Sequence, residues 1–250
     1  MGRAHEVRAK KMAATNAAKS ALFNRASKEI YMAAKSGIPD PKENLALRAA
    51  IEKFKGQSVS KDVIERAIQK AKAKDATSYS SNRYEGFGPG NVAIIIDTLT
   101  DNDKRAFAAV RSALTHKGGK VANTGSASFN FDNLGVIQFE LPENQSIDSV
   151  TETLVFGDVD VQNVVDLGDG IIEVRVSPKD FAKAKDVVTN ELQVSEFLIN
   201  EIRMVPNTEL VHVEGDEKQK LLNLLEELDE IEDVQAVYHN ADVELAEDEE

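Results

Sequence analysis

Val161-Gln162-Asn163-Val164-Val165-Asp166-Leu167-Gly168-Asp169-Gly170-Ile171-Ile172-Glu173-Val174-Arg175-Val176 decides the fold of this chain. Two runs rich in β-branched residues flank Gly168-Asp169-Gly170, a hairpin signal, because such residues accept the positive φ angles of a tight turn. Upstream, Val136 to Leu141 reads as a strand, and Ile147, Val150 and Leu154 mark a helix. Downstream, Ser177 caps a helix with Pro178 at its first position and Phe181, Val188 and Leu192 facing inward. Val194 to Val205 gives a further strand. Residues 133–205 therefore read β-α-β-β-α-β, the ferredoxin-like order.

The flanking sequence supplies a second, divided unit. Val92 to Leu99 is a β-branched run expected as a central strand. Asp101-Asn102 can cap the next helix, whose inner face is Phe107, Val110 and Leu114, and Gly118-Gly119 ends it. Ser126 to Phe131 alternates as a strand through Ala127, Phe129 and Phe131. The remaining half follows residue 206: Thr208 to Val213 as strand, Lys218 to Ile231 as a helix built on Leu221, Leu225 and Leu228, and Val234 to His239 as strand. The expectation is a split ferredoxin-like domain, 83–132 plus 206–240, with 133–205 inserted into it. Asp75 to Asn82 reads as a Ser-rich linker and Tyr84 to Gly90 as a glycine-laden turn. The tail, 241–250, is acidic, and Glu244 to Glu250 is expected to be disordered.

Residues 1–74 are rich in Ala, Lys and Arg, which favour helix. Leu22, Ala26, Ile30 and Ala34 draw one apolar stripe that stops at Ser36-Gly37-Ile38-Pro39-Asp40-Pro41. Leu47, Ala50, Ile51 and Phe54 continue with helical spacing to Gly56. Ser60 caps a third helix, with Asp62 in its first turn and Val63, Ile64, Ala67, Ile68 and Ala71 on its buried face. Residues 1–17 carry many cations and little apolar periodicity, which suits an arm that orders on a phosphate backbone or an ordinary solvated terminus. The fold class expected is α+β: an N-terminal three-helix bundle followed by two ferredoxin-like α/β domains, one inserted into the other.

Charge is divided as sharply as structure. Residues 1–74 hold 17 Lys/Arg against 7 Asp/Glu, and residues 75–250 hold 13 against 36, so a net of −13 conceals a head of +10 on a body of −23. Such asymmetry points the head at nucleic acid, while the body repels phosphate and limits how the molecule docks. There are no cysteines, which excludes disulfides, thiolate catalysis and Cys-ligated zinc. No apolar run is long enough for a transmembrane helix, and the charged N-terminus is unlike a secretory signal, so no membrane partner is expected and the cytoplasm is the expected location.

Chemistry-bearing motifs are sparse. Gly86, Gly88 and Gly90 precede a strand, whereas a dinucleotide fingerprint lies between a strand and a helix, so turn geometry is the reading here. His5, His116, His212 and His239 share no metal-ligating spacing, and neither metal nor cofactor is expected. Asp97 and Asp101 bracket a strand end and form a candidate carboxylate pair, against a capping Asp101 and a solvated Asp97. Phe129 and Phe131 alternate as in an RNA-recognition sheet but lack its signature, so they read as core. The body reads as a protein-contact or spacer module.

Several stretches together resemble the YebC/YeeN family. They are Met1-Gly2-Arg3, Ala33-Ala34-Lys35-Ser36-Gly37 with Pro39-Asp40-Pro41, Arg48-Ala49-Ala50-Ile51, Ile64-Glu65-Arg66-Ala67-Ile68, Thr100-Asp101-Asn102 with Arg105, and above all Arg83-Tyr84-Glu85-Gly86-Phe87-Gly88-Pro89-Gly90. The resemblance implies a helical domain followed by two α/β domains. It also implies a DNA-binding role in transcription, that of the family's probable regulatory proteins. A mitochondrial relative is a translational activator of cytochrome c oxidase, and some bacterial relatives are ribosome-associated factors that relieve stalling at proline runs. Many members begin Gly-His-Ser-Lys-Trp-Ala-Asn-Ile-Lys. This chain has Gly2-Arg3-Ala4-His5-Glu6-Val7-Arg8 and no Trp, closer to the YeeN-like branch.

The functional expectation is a non-enzymatic regulator of gene expression that neutralises phosphates with Arg3, Arg8, Lys10, Lys11, Lys19, Arg25, Lys28 and Lys35, supported by Lys53 and Lys55. DNA is the partner that the resemblance favours. Ribosomal RNA is the alternative, with the acidic body then meeting basic ribosomal proteins. A small-molecule sensor or enzyme built on the α/β domains is the third reading.

Overall fold

The computed structural model describes residues 3–55, 57, 59–73 and 78–243, with side chains from Ala18 onward. It is an α+β structure, and it divides into two compact units. The first comprises Met1–Phe54, Ser58–Phe131 and Pro206–Glu250, and the second Asp132–Val205 with Lys55–Gln57.

The first unit opens with α1 (Arg3–Lys35), followed by α2 (Leu45–Lys53) and α3 (Lys61–Lys72). The segment read as an arm is helical from Arg3, and one 33-residue helix replaces the short first helix expected. Its sequence holds neither Gly nor Pro, so nothing interrupts it before Gly37. Asn44 organises the turn that follows. Its carboxamide oxygen accepts from the Leu47 amide and caps α2, while its nitrogen donates to the Ala33 and Ile38 carbonyls. Ala26, Ile30, Tyr31, Ala34, Leu47, Ala50, Phe54 and Ala67 form the helical core. Gly56 and the tail from Glu244 lie outside the described residues.

The α/β part of this unit contains β1 (Ser80–Phe87), β2 (Ala93–Thr100), α4 (Asp103–His116) and β3 (Lys120–Ala122). Its sheet runs β3-β1-β2, and a strand from the C-terminal segment completes it on the β2 side. Two expectations fail here. Ser126 to Phe131 is not a strand: the Gly125, Ala127 and Ser128 amides donate to the Glu85 carboxylate, and Ser128–Asn130 is a 3-10 turn. Thr208 to Val213 does not enter the sheet either, because β1 holds that place, pairing Arg83 with Asp97 and Phe87 with Ala93 across β2. Ser80–Phe87, drawn from the segments read as linker and glycine turn, is thus a strand.

The second unit follows the hairpin reading. Its elements are β4 (Phe131–Glu140), α5 (Ile147–Phe156), β5 (Val161–Gly168), β6 (Ile171–Val176), α6 (Phe181–Asn190) and β7 (Ile199–Pro206), in sheet order β5-β6-β4-β7. Gly168 pairs with Ile171, leaving Asp169 and Gly170 as the loop with φ of 50° and 76°. α6 begins at Phe181 rather than Pro178, with Asp180 at the cap position receiving the Ser177 hydroxyl. Val194 is core rather than strand, its amide bonded to the Val188 carbonyl.

The chain then returns to the first unit through β8 (Val211–His212), α7 (Gly215–Glu230), β9 (Val234–His239) and β10 (Ala241–Asp242). β9 pairs antiparallel with β2, whereas β8 and β10 form a separate two-stranded pair. Ile94, Ile96, Val110, Leu114, Leu221, Leu224, Leu228 and Val234 close the core between the sheet, α4 and α7. The neighbour order β9-β2-β1-β3 is that of a ferredoxin-like sheet, with the strand that would precede α7 placed ahead of β2.

Candidate nucleic-acid interface

The cations singled out in the head serve different ends. Arg25 on α1 turns inward, its Nε donating to the Val234 carbonyl at 3.1 Å and its Nη2 to Asp229 Oδ1 at 2.7 Å. Lys28, one helical turn on and 8% exposed, donates to Asp233 Oδ1 at 3.1 Å and to the Glu232 and Leu99 carbonyls. Lys53 of α2 pairs with Glu29 of α1 at 3.0 Å. These three cations hold the helical core together and fasten it to the sheet and α7.

Asp233 is the centre of that fastening. Arg105 of α4 grips both its oxygens, Nε to Oδ2 at 3.0 Å and Nη2 to Oδ1 at 2.9 Å, and also bonds Asp101 at 2.8 Å. Burial pushes the Asp233 carboxyl up, but the hydrogen bonds and charges of Lys28 and Arg105 outweigh it and hold the group below its ordinary value. Sequence reading included neither Arg105 nor Asp233 in the site. A signal existed, since Arg105 stands three residues after a helix-capping Asn102, where a guanidinium has neighbours on the preceding strand end.

Other cations stay at the surface. Lys19 is exposed, with its Nζ 6.0 Å from the Phe23 ring, and Lys55 is exposed. Lys35 lies over Tyr31, and Lys70 over Tyr31 and Tyr79, at 5.6 to 5.9 Å. Arg3, Arg8, Lys10 and Lys11 are on the N-terminal half of α1, and their side chains lie outside the described residues.

The body shows what its motifs do. Asp97 and Asp101 are not a pair: Asp97 is held by Arg83 at 2.6 and 2.8 Å, Asp101 by Arg105, and Asn102 caps α4. Glu85 carries a carboxylate that burial raises but three backbone amides pull below its usual range. Gly86 admits no side chain, since a Cβ would stand 2.9 Å from both Leu114 Cδ1 and the Lys120 carbonyl, and Gly90 has φ of 70°. The glycine run is therefore packing and turn. Phe131 is core, but Phe129 is 68% exposed at the 3-10 turn. His212 meets Glu214 at 2.8 Å and Asp242 at 3.5 Å, contacts that raise its pKa. Among the described residues no cluster of three or more His, Asp or Glu side chains is arranged to hold a metal ion, and no helix is long and apolar enough to cross a membrane.

A helical head fastened by ion pairs, the Lys28–Asp233 pair buried, to an α/β unit that is interrupted by a second one defines the class. Residues 3–74 match the family described as the TACO1/YebC protein N-terminal domain, and residues 79–241 match the TACO1/YebC second and third domain. The chain belongs to the TACO1/YebC family. It is 47% identical over 244 residues to a probable transcriptional regulatory protein of Mesoplasma florum, covering 97% of this chain and 100% of that one. A protein of the same description from Marinobacter nauticus is 41% identical over 97% of this chain and 99% of its own. The crystal structure of a conserved hypothetical protein from Aquifex aeolicus superposes with a TM-score of 0.74 at 28% identity, over 91% of each chain.

Proposed function

We propose that this protein is a non-enzymatic, DNA-binding regulator of transcription that works in the cytoplasm and docks through its basic head. The observation that carries the reading is the charge division, +10 on residues 1–74 against −23 on the rest. The descriptions of the Mesoplasma and Marinobacter relatives support the regulatory role. Binding is by phosphate neutralisation with Arg3, Arg8, Lys10, Lys11, Lys19, Lys35 and Lys55, while Arg25, Lys28 and Lys53 position the helices that carry them. Each neutralised phosphate releases counterions, so affinity falls steeply with salt. Charge reversal at Lys10, Lys11 and Lys19 together is expected to weaken duplex binding and to lower the slope of log affinity against log salt by about 0.9 for every phosphate left without its cation. Unchanged affinity and slope would overturn the reading. Sedimentation from a fresh lysate supplies the rival outcome: migration with ribosomal particles that survives DNase and collapses with RNase would assign the head to ribosomal RNA.

A further inference from the structure

The acidic body carries one cationic strip. Of its 13 Lys/Arg, five fall between residues 104 and 120: Lys104, Arg105 and Arg111 on α4, Lys117 in the turn after it and Lys120 at the start of β3. Arg105 and Lys117 are engaged, with Asp233 and Asp101 and with Glu227. Lys104 and Arg111 are exposed, and no acid among the described residues forms an ion pair with either. At i and i+7 they share a helix face about 10 Å apart along the axis. Phe107, between them, is 38% exposed and braced by Tyr84, ring centroids 5.5 Å apart. A shallow groove beside it is lined by Phe107, Arg111, Ser112 and His116. The one acid on the helix, Asp103, lies a turn before Phe107 and is bonded by Ser80 and Asn82.

We propose that this face of α4 is a second nucleic-acid contact, for a single-stranded segment whose base stacks on Phe107 while flanking phosphates meet Lys104 and Arg111. Two features select this partner. The cations stand unneutralised in a body that is otherwise strongly acidic, so an anionic polymer is the complementary ligand. The aromatic ring between them is partly exposed and packs against Tyr84, and only an unpaired base can reach it, since duplex bases are stacked on each other. Duplex DNA would engage the two cations alone. The proposal shares with the basic head the premise that the partner is nucleic acid, but it uses none of the same residues.

Fluorescence anisotropy of the full-length protein with a labelled 12-nucleotide oligouridylate and a 12-base-pair DNA duplex tests it. Phe107→Ala is expected to weaken oligouridylate binding roughly 5- to 100-fold and duplex binding less than about twofold. Phe107→Leu keeps an apolar contact for Tyr84 and is expected to bind as poorly, at an unchanged Tm, while Phe107→Trp restores binding. Lys104→Glu with Arg111→Glu is expected to lower the salt slope for the single strand by about 1.4. Unchanged binding and slope in the α4 variants, with loss in the Lys10, Lys11 and Lys19 charge reversal, would overturn this inference and leave the head reading standing. Loss in the α4 variants alone would support this inference and overturn the head as the docking surface. A wild-type protein that binds neither probe would overturn both.

Discussion

At the scale of single residues, one buried carboxylate decides how the head is held. Asp233 is 3% exposed and stands between Lys28 and Arg105, on elements that enter the chain far apart. Asp233→Ala leaves the buried Lys28 with only the exposed Glu232 carboxylate at 3.8 Å, and removing the close partner of a buried pair costs about 3–5 kcal/mol, read as a lower urea midpoint. The pH dependence follows from the direction of the shift. The folded-state pKa lies below the ordinary aspartate value of 3.8, so the folded protein binds this proton less readily than the unfolded chain does. The stabilisation is complete above that value and is lost as pH falls through the folded pKa. Urea midpoints of wild type and Asp233→Ala are therefore expected to differ at pH 7 and to converge as pH drops below 3.8. Glu85 acts similarly on a loop. Glu85→Ala strips the partner from three backbone amides, at a cost of about 1–3 kcal/mol for a buried donor left unsatisfied, and amide exchange at Gly125, Ala127 and Ser128 should quicken.

Elements differ in how openly the sequence announces them. The β5–β6 hairpin was legible because β-branched runs meet an Asp-Gly loop, and β2 because an unbroken apolar run has to be central, where it is buried almost throughout. β1 was hidden. Ser80–Phe87 is mostly polar and half-exposed, and its place is set by register against β2 and by the α4 side chains that Gly86 lets approach, not by its own pattern. The length of α1 was missed because amphipathic spacing ends before the helix does, although Arg3 to Ala18 holds good helix formers and neither Gly nor Pro. For the candidate site the charge asymmetry was legible and the pairing was not. Arg25, Lys28 and Lys53 resemble every other head cation until residues some 200 positions away, or on a neighbouring helix, neutralise them. Two substitutions separate packing from pattern. Leu221→Ala opens the core under the first sheet and is expected to cost about 2–5 kcal/mol in denaturant unfolding. Gly86→Ala presses a methyl against Leu114 and the Lys120 carbonyl and is expected to cost about 1–3 kcal/mol, although it adds apolar volume.

At the scale of the whole molecule, the chain leaves the first unit at Phe131 and re-enters it at Pro206. The two ends are neighbours: the Asn207 amide donates to the Asn130 carbonyl at 2.9 Å, and the Asn207 side chain reaches the Phe129 carbonyl. The second unit has its own core of Ile137, Phe139, Leu154, Val174 and Val188, and the first has separate cores under its sheet and within the helices. A domain whose ends lie together can be removed with little strain on its host, since closing a short loop there costs little chain entropy. Replacing residues 132–205 by a short Gly/Ser linker is therefore expected to yield a cooperatively folding protein in which Arg25, Lys28, Arg105 and Asp233 still meet. Calorimetry should show one transition, still weakened by Asp233→Ala. Because residues 1–74 and α4 all lie outside the deleted segment, nucleic-acid binding and its salt slope should survive the deletion. A truncated protein that folds yet no longer binds would instead move the docking surface to the excised unit, where the charge division gives no reason to expect it.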